Sequence, residues 1–186
     1  MGGFLRVRSW AIHLQADMAV YVALLRAVNV GGTGKLPMAR LLELCADAGL
    51  ADARTYIASG NVIFRSAASE RAVRGALEAR LHAYARKPIG VLVRSAAEIA
   101  KLVTDNPFAD KPGNRVMALF TDDKLPKHPL EGAVGIRNED VRLGRRALFV
   151  FYPDGMARTR LRLPSERNGT ARNMNTVAKL ASIAAE

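Results

Sequence analysis

Between Ala19 and Val93, six short runs follow one another as strand, helix, strand, strand, helix, strand, and that order leaves few ways to fold. Ala19 to Arg26 is a near-continuous apolar run that ends in a charge and a glycine-rich turn, the pattern of a strand buried on both faces. Pro37 fits a first helical position. Met38, Leu41, Leu42, Cys45 and Ala48 then recur at three- and four-residue spacing until Gly49, which places Cys45 in the core. Thr55 to Ala58 and Val62 to Arg65 are β-rich and separated by Ser59, Gly60 and Asn61, as in a hairpin. Ser69 caps a helix that reaches about Arg86, with Val73, Leu77 and Leu81 on one face, and Pro88 breaks it ahead of a strand at Ile89 to Val93.

This is the split βαβ order of a ferredoxin-like plait, whose sheet order is 4-1-3-2 with the third strand between the parallel first and second. The topology predicts that Asn29 to Leu36, Ser59 to Asn61, and Arg86 to Lys87 cluster at one edge although they are far apart in sequence. A third helix, Ala96 to Thr104, leads into the polar, proline-bearing stretch Asn106 to Asn114, the natural boundary. Residues 18–105 thus form a first half and residues 106–186 a second. In the second, Arg115 to Thr121 reads as a strand, and Val141 to Leu143 with Ala147 to Tyr152 as a hairpin turning at Gly144 to Arg146. A last helix runs from about Asn173, with Val177, Leu180 and Ile183 on one stripe. The fold class expected is α+β, two ferredoxin-like halves with the second abbreviated for want of a central helix. Residues 1–17 read as a disordered extension or as a start assigned too early, with Met18 the true first residue.

The longest apolar run, Met18 to Leu25, is far short of the roughly 20 residues of a membrane-spanning helix. The single cysteine and the three histidines, His13, His82 and His128, show no metal-ligand spacing, so no metal or cofactor is expected and a cytoplasmic location is. Twenty-eight basic against 17 acidic residues give a net charge of +11, which favours an acidic partner over a membrane. Twenty-one of the basic residues are arginine, a bias that a GC-rich genome alone produces, so particular positions must carry the argument.

The segment from Arg26 through Asn29, Gly31, Gly32 and Gly34 to Lys35 leads from a strand into a helix, where backbone amides favour an anion. It lacks the glycine and the Ser or Thr of a nucleotide-triphosphate loop, at Asn29 and Leu36. Either it holds an anion, or its glycines only shape a tight connection. Ser59, Gly60 and Asn61 are by themselves ordinary turn chemistry. Thr170, Arg172, Asn173 and Asn175 either cap the last helix or grip a polar ligand. For RNA recognition only Tyr56 and Phe64 stand near suitable strands, and Arg145 to Tyr152 lacks part of the required signature. No side chain is placed as a catalytic acid, base or nucleophile.

Four blocks, Tyr21 to Gly32 with Pro37 and Met38, Thr55 to Phe64, Asn106 to Phe108, and Thr170 to Val177, together resemble a bacterial family catalogued as domain of unknown function 1697. The resemblance implies two ferredoxin-like halves, a cytoplasmic location and no assigned activity. It also implies glycine where Ala27 stands and an aromatic where Met174 stands.

The expectation is a binding protein for a small anionic or phosphorylated ligand, held by Arg26, Asn29, Gly31, Gly32, Lys35, Ser59, Gly60, Asn61, Arg172, Asn173 and Asn175. One alternative is a nucleic-acid-binding module that uses the second half, where Arg137 to Arg172 holds nine arginines against four acids. The other is a metal-independent enzyme acting on a phosphorylated substrate. A deep pocket favours a small ligand and a long basic stripe favours nucleic acid.

Overall fold

The computed structural model describes residues 18–29 and 35–186, so the expected extension at 1–17 and the candidate residues Gly31 and Gly32 lie outside the described residues. Strand β1 (Ala19–Leu25) leads to helix α1 (Met38–Asp47), β2 (Ala51–Tyr56), β3 (Asn61–Ser66), α2 (Glu70–Ala85) and β4 (Val91–Ser95). The four strands form an antiparallel sheet in the order β2-β3-β1-β4. Helix α3 (Ala96–Thr104) follows, then β5 (Val116–Phe120), β6 (Asp140–Leu143), β7 (Ala147–Phe151), β8 (Thr170–Asn173) and α4 (Met174–Ala184). The second sheet is also four-stranded and antiparallel, in the order β6-β7-β5-β8. The described residues therefore form an α+β fold with four α-helices and two four-stranded sheets.

Local chemistry accounts for the element ends. Pro37 stands one position before α1, and Gly49 leaves that helix with φ +74. The Ser69 hydroxyl accepts the Ala72 N–H at the start of α2, and Arg86 closes that helix in the left-handed region, donating its N–H to the His82 carbonyl. Strand β4 passes straight into α3 through Ser95, whose hydroxyl and whose N–H both pair with Glu98 in a capping box. Strand β8 passes into α4 in the same way, with Asn173 accepting the Thr176 N–H. Both halves thus end on a strand that turns directly into a helix.

Those two helices pack on each other between the sheets. Val22, Leu24 and Ile63 of the first sheet meet Ala118, Phe120 and Phe149 of the second across Ile99 and Leu102 of α3 and Val177 and Leu180 of α4, in one buried cluster. The alternate residues of β1, Ala23 and Leu25, face a separate cluster under α1 and α2, which explains the unbroken apolar run. Cys45 lies fully buried there, and burial pushes its thiol up to about 12. Among the described residues no α-helix packs on the outer face of the second sheet. Leu161 and Leu163 from the segment after β7, with Leu125 from the segment after β5, cover Leu148 and Val150 instead. Paired backbone bonds between Val134 and Arg162 tie these two segments together. No helix among the described residues is long and apolar enough to cross a membrane.

Two expected boundaries move. β2 begins at Ala51 and the hairpin turn is 57–60, because Ile57, a strand former by type, takes φ +50 and leaves the ladder. β4 begins at Val91, opposite Leu25. Thr170–Asn173, read from sequence as either a helix cap or a grip on a polar ligand, is a strand whose last residue also caps the helix.

Candidate functional site

The end of β1 is stitched to two loops by its own backbone: the Leu25 N–H donates to the Gly60 carbonyl and the Arg26 N–H to the Gly90 carbonyl. Gly60 fits because it holds φ +75 and because a Cβ there would stand 2.8 Å from that of Leu25. The Asn29 amide closes the segment that follows. Its oxygen accepts the Leu36 N–H at 2.8 Å, while its nitrogen donates to the carbonyls of Leu36 at 3.1 Å and Ala58 at 2.8 Å. The strand-one loop and the hairpin are thus brought together, as the topology predicted.

Asn61 and Arg172 carry this edge into the second half. Asn61, fully buried, donates its amide to the Tyr56 carbonyl and the Ser59 hydroxyl and accepts the Arg172 Nε–H at 2.6 Å. The Arg172 Nη1 donates to the Thr170 hydroxyl and the Ala171 carbonyl, and Nη2 to the carbonyls of Leu25 and Ser59. All five guanidinium protons therefore have acceptors within the protein. Burial pulls this guanidinium down to about 10, still charged at neutral pH. Arg172 pins two sheets together, and a ligand would reach its protons only by displacing those acceptors. Asn173 and Asn175 lie elsewhere. β8 runs antiparallel to β5, so Thr170 meets the end of β5 at Phe120 while Asn173 meets its start at Met117. Asn175, exposed, abuts Gly113, the residue that opens the short 3-10 turn ahead of β5.

Next to the strand-one loop lies a cavity of about 500 Å³. Arg26, Lys35 and Lys87 supply its charge, Leu36, Tyr84 and Ile89 much of its apolar wall, and no carboxylate is found among the described residues that line it. Arg26 is held in place by donating Nε–H to the Gly169 carbonyl at 3.2 Å and Nη2–H to the Arg167 carbonyl. Six non-glycine residues have positive φ among those described, and Ala27, Asn29, Ile57 and Arg86 are four of them. All four lie in the segments that converge here, and backbone held in this region costs of order 1–3 kcal/mol per residue. Of the residues singled out from sequence, Arg26 and Lys35 face the cavity, while Asn29, Ser59, Gly60, Asn61 and Arg172 build the frame behind it. Tyr84 was not legible as a site residue, because it reads as one more position on the exposed face of a helix.

A second polar joint, unforeseen from sequence, lies on the β4 side. Arg146 donates to Glu70 at 2.5 and 2.9 Å, to Glu98 at 3.0 Å and to Asp122 at 2.7 Å. Arg94 and Arg74 also reach Asp122, each at 2.8 Å. Burial raises the Glu98 and Asp122 carboxyls, but the Ser95 N–H and Arg146 outweigh it at Glu98, and Arg146 and Arg94 at Asp122, so both rest below their ordinary values. A carboxylate depressed in the folded state contributes stability that is present above its unfolded pKa and is lost as pH falls through the folded one. The melting temperature is therefore expected to fall between about pH 5 and about pH 3. A flat scan over that interval would rule out this contribution.

The family described as "Protein of unknown function (DUF1697)" matches residues 18–149, a stretch that contains the first three of the four blocks noted above and stops short of 170–177. No curated protein matches the chain. Among solved structures, the conserved bacterial protein SP0830 from Streptococcus pneumoniae is similar with a TM-score of 0.74 and 22% identity, over 91% of this chain and 99% of that one. That likeness is one of fold.

Proposed function

The chain belongs to the DUF1697 family, whose description assigns no activity, and from its own geometry we propose that it binds a small anionic, phosphorylated ligand in the cavity beside the strand-one loop. The observation that carries this reading is the lining itself: three basic side chains around about 500 Å³ with no acid among the described lining residues. Pockets of roughly 300–1,000 Å³ suit small molecules rather than polymers. The strain gathered at Ala27, Asn29, Ile57 and Arg86 supports it, since such backbone persists where the surroundings over-determine it, often at ligand clamps. The first-half strand order, with β1 and β3 central, supports reading that half as a ferredoxin-like plait, and the same order in the second supports reading it as an abbreviated one. The single, inert cysteine supports a reducing, cytoplasmic location.

Titration calorimetry with inorganic phosphate and with ribose 5-phosphate at low salt tests the binding. Both are expected to bind. Lys35→Ala should weaken each about tenfold, the lower end of what one charge-assisted hydrogen bond of roughly 1.5–3 kcal/mol contributes. A nucleic-acid module would instead bind a DNA duplex, with log affinity falling against log salt at a slope near −5 for about six phosphate contacts. That slope, with no binding of either small phosphate, would replace the proposal.

A further inference from the structure

We infer that the ligand carries a planar ring beside its anionic group and that the ring stacks on Tyr84, which makes a nucleoside monophosphate the fitting chemical class; the inference rests on the anion-binding reading above. A bare phosphate would engage the cations and leave the rest of the wall, Leu36, Tyr84 and Ile89, with nothing to cover. An apolar wall with a few convergent polar groups is the build of a site for a mixed ligand.

Tyr84 is suited to the second part. It stands in the last turn of α2 at the wall of the cavity and remains 40% exposed. One cation already packs against its ring. The Arg40 guanidinium from α1 lies 5.3 Å from the ring centroid and is itself tied to Glu43 at 2.5 Å. Arg40 is not among the described residues that line the cavity, whereas Tyr84 is. A ring fixed before binding loses little freedom when a second ring stacks on it.

Electrostatics orients the ligand. α2 ends at Ala85, so its unpaired carbonyls give the Tyr84 end of the cavity the negative pole of a helix. An anion is disfavoured there and favoured toward Arg26, just after β1, and Lys35, just ahead of α1. The neutral ring belongs at Tyr84 and the phosphate at the other end, with Lys87 offsetting the carbonyl pole.

The test titrates the full chain with ribose 5-phosphate and with each of the four ribonucleoside 5′-monophosphates. At least one nucleotide is expected to bind about tenfold or more tightly than ribose 5-phosphate, as base stacking on an aromatic side chain does. Tyr84→Ala should abolish that difference and Tyr84→Phe should keep it, while Lys35→Ala should weaken nucleotide and sugar phosphate by the same factor. An unchanged melting temperature in Tyr84→Ala confirms that the exposed ring is not needed for folding. If ribose 5-phosphate binds as well as every nucleotide, or Tyr84→Ala leaves the preference intact, the stacking inference falls and anion binding stands. If neither class binds, both fall.

Discussion

Arg172→Ala is expected to lower the stability of the protein by about 3 kcal/mol, read as a shift of the urea midpoint at constant slope. The sequence suggests the opposite, since an arginine at a helix start is ordinarily half-solvated and adds little to folding. Here the side chain is 8% exposed and donates to the carbonyls of Leu25, Ser59 and Ala171 as well as to the side chains of Asn61 and Thr170. Truncation leaves several buried oxygens without donors, each costing about 1–3 kcal/mol. Relief from burying a cation with no carboxylate partner among the described residues offsets part of that sum. Arg172→Lys should recover less than half, because one ammonium cannot reach acceptors arrayed around a planar fork. An Arg172→Ala midpoint that matches wild type would show that the joint between β8 and the hairpin adds nothing to the folded state.

Arg94→Ala should cost a similar amount, about 3 kcal/mol, by opening a cavity in the core and leaving the Thr121 and Val93 carbonyls without this donor. The residue is 1% exposed, pairs with Asp122 at 2.8 Å, and donates to the Val93 carbonyl at 2.6 Å and the Thr121 carbonyl at 2.7 Å. Its Nε–H has no hydrogen-bond partner among the described residues, and burial together with the nearby Arg146 pulls its pKa down. This is a cation in a costly place. Asp122 keeps Arg146 and Arg74 when Arg94 is lost, so the carboxylate is not stranded. Arg94→Met is therefore expected to recover most of the loss, by refilling the space against Phe120 without an unpaired donor. If methionine proves as damaging as alanine, the hydrogen bonds to Thr121 and Val93 outweigh the cost of burying the charge.

The contrast between these two arginines and the rest of the chain shows what a sequence exposes. Pro37, Gly49, Ser69 and Ser95 mark helix ends through bonds to residues three or four positions away, and each boundary was legible. So was the convergence of the strand-one loop with the hairpin, because strand order alone dictates it. β8 was not, since four residues of alternating polar character carry no apolar stripe. Arg172 and Asn61, 111 residues apart, were read as facing one ligand and not as bonded to each other, and the pairing of Arg94 with Asp122, 28 residues away, was not foreseen. A lone arginine in a strand announces burial only after its acceptors are known. Arg26 and Lys35 were legible as candidates by the charge they bring to a loop, and both line the cavity. Tyr84 needed Arg40 and the cavity to set it apart from any other solvent-facing helix residue.

The meeting of α3 and α4 between the sheets has a consequence for how the chain may be divided. The polypeptide narrows to a single crossing at Asn106 to Asn114, yet the apolar cluster beneath that crossing is continuous from Val22 to Ala184. A nick in the crossing would yield two pieces, each with a bare face of Val, Leu and Phe shaped to the other. Such pieces would be held together by that shared core and located by the Arg172 and Arg146 contacts.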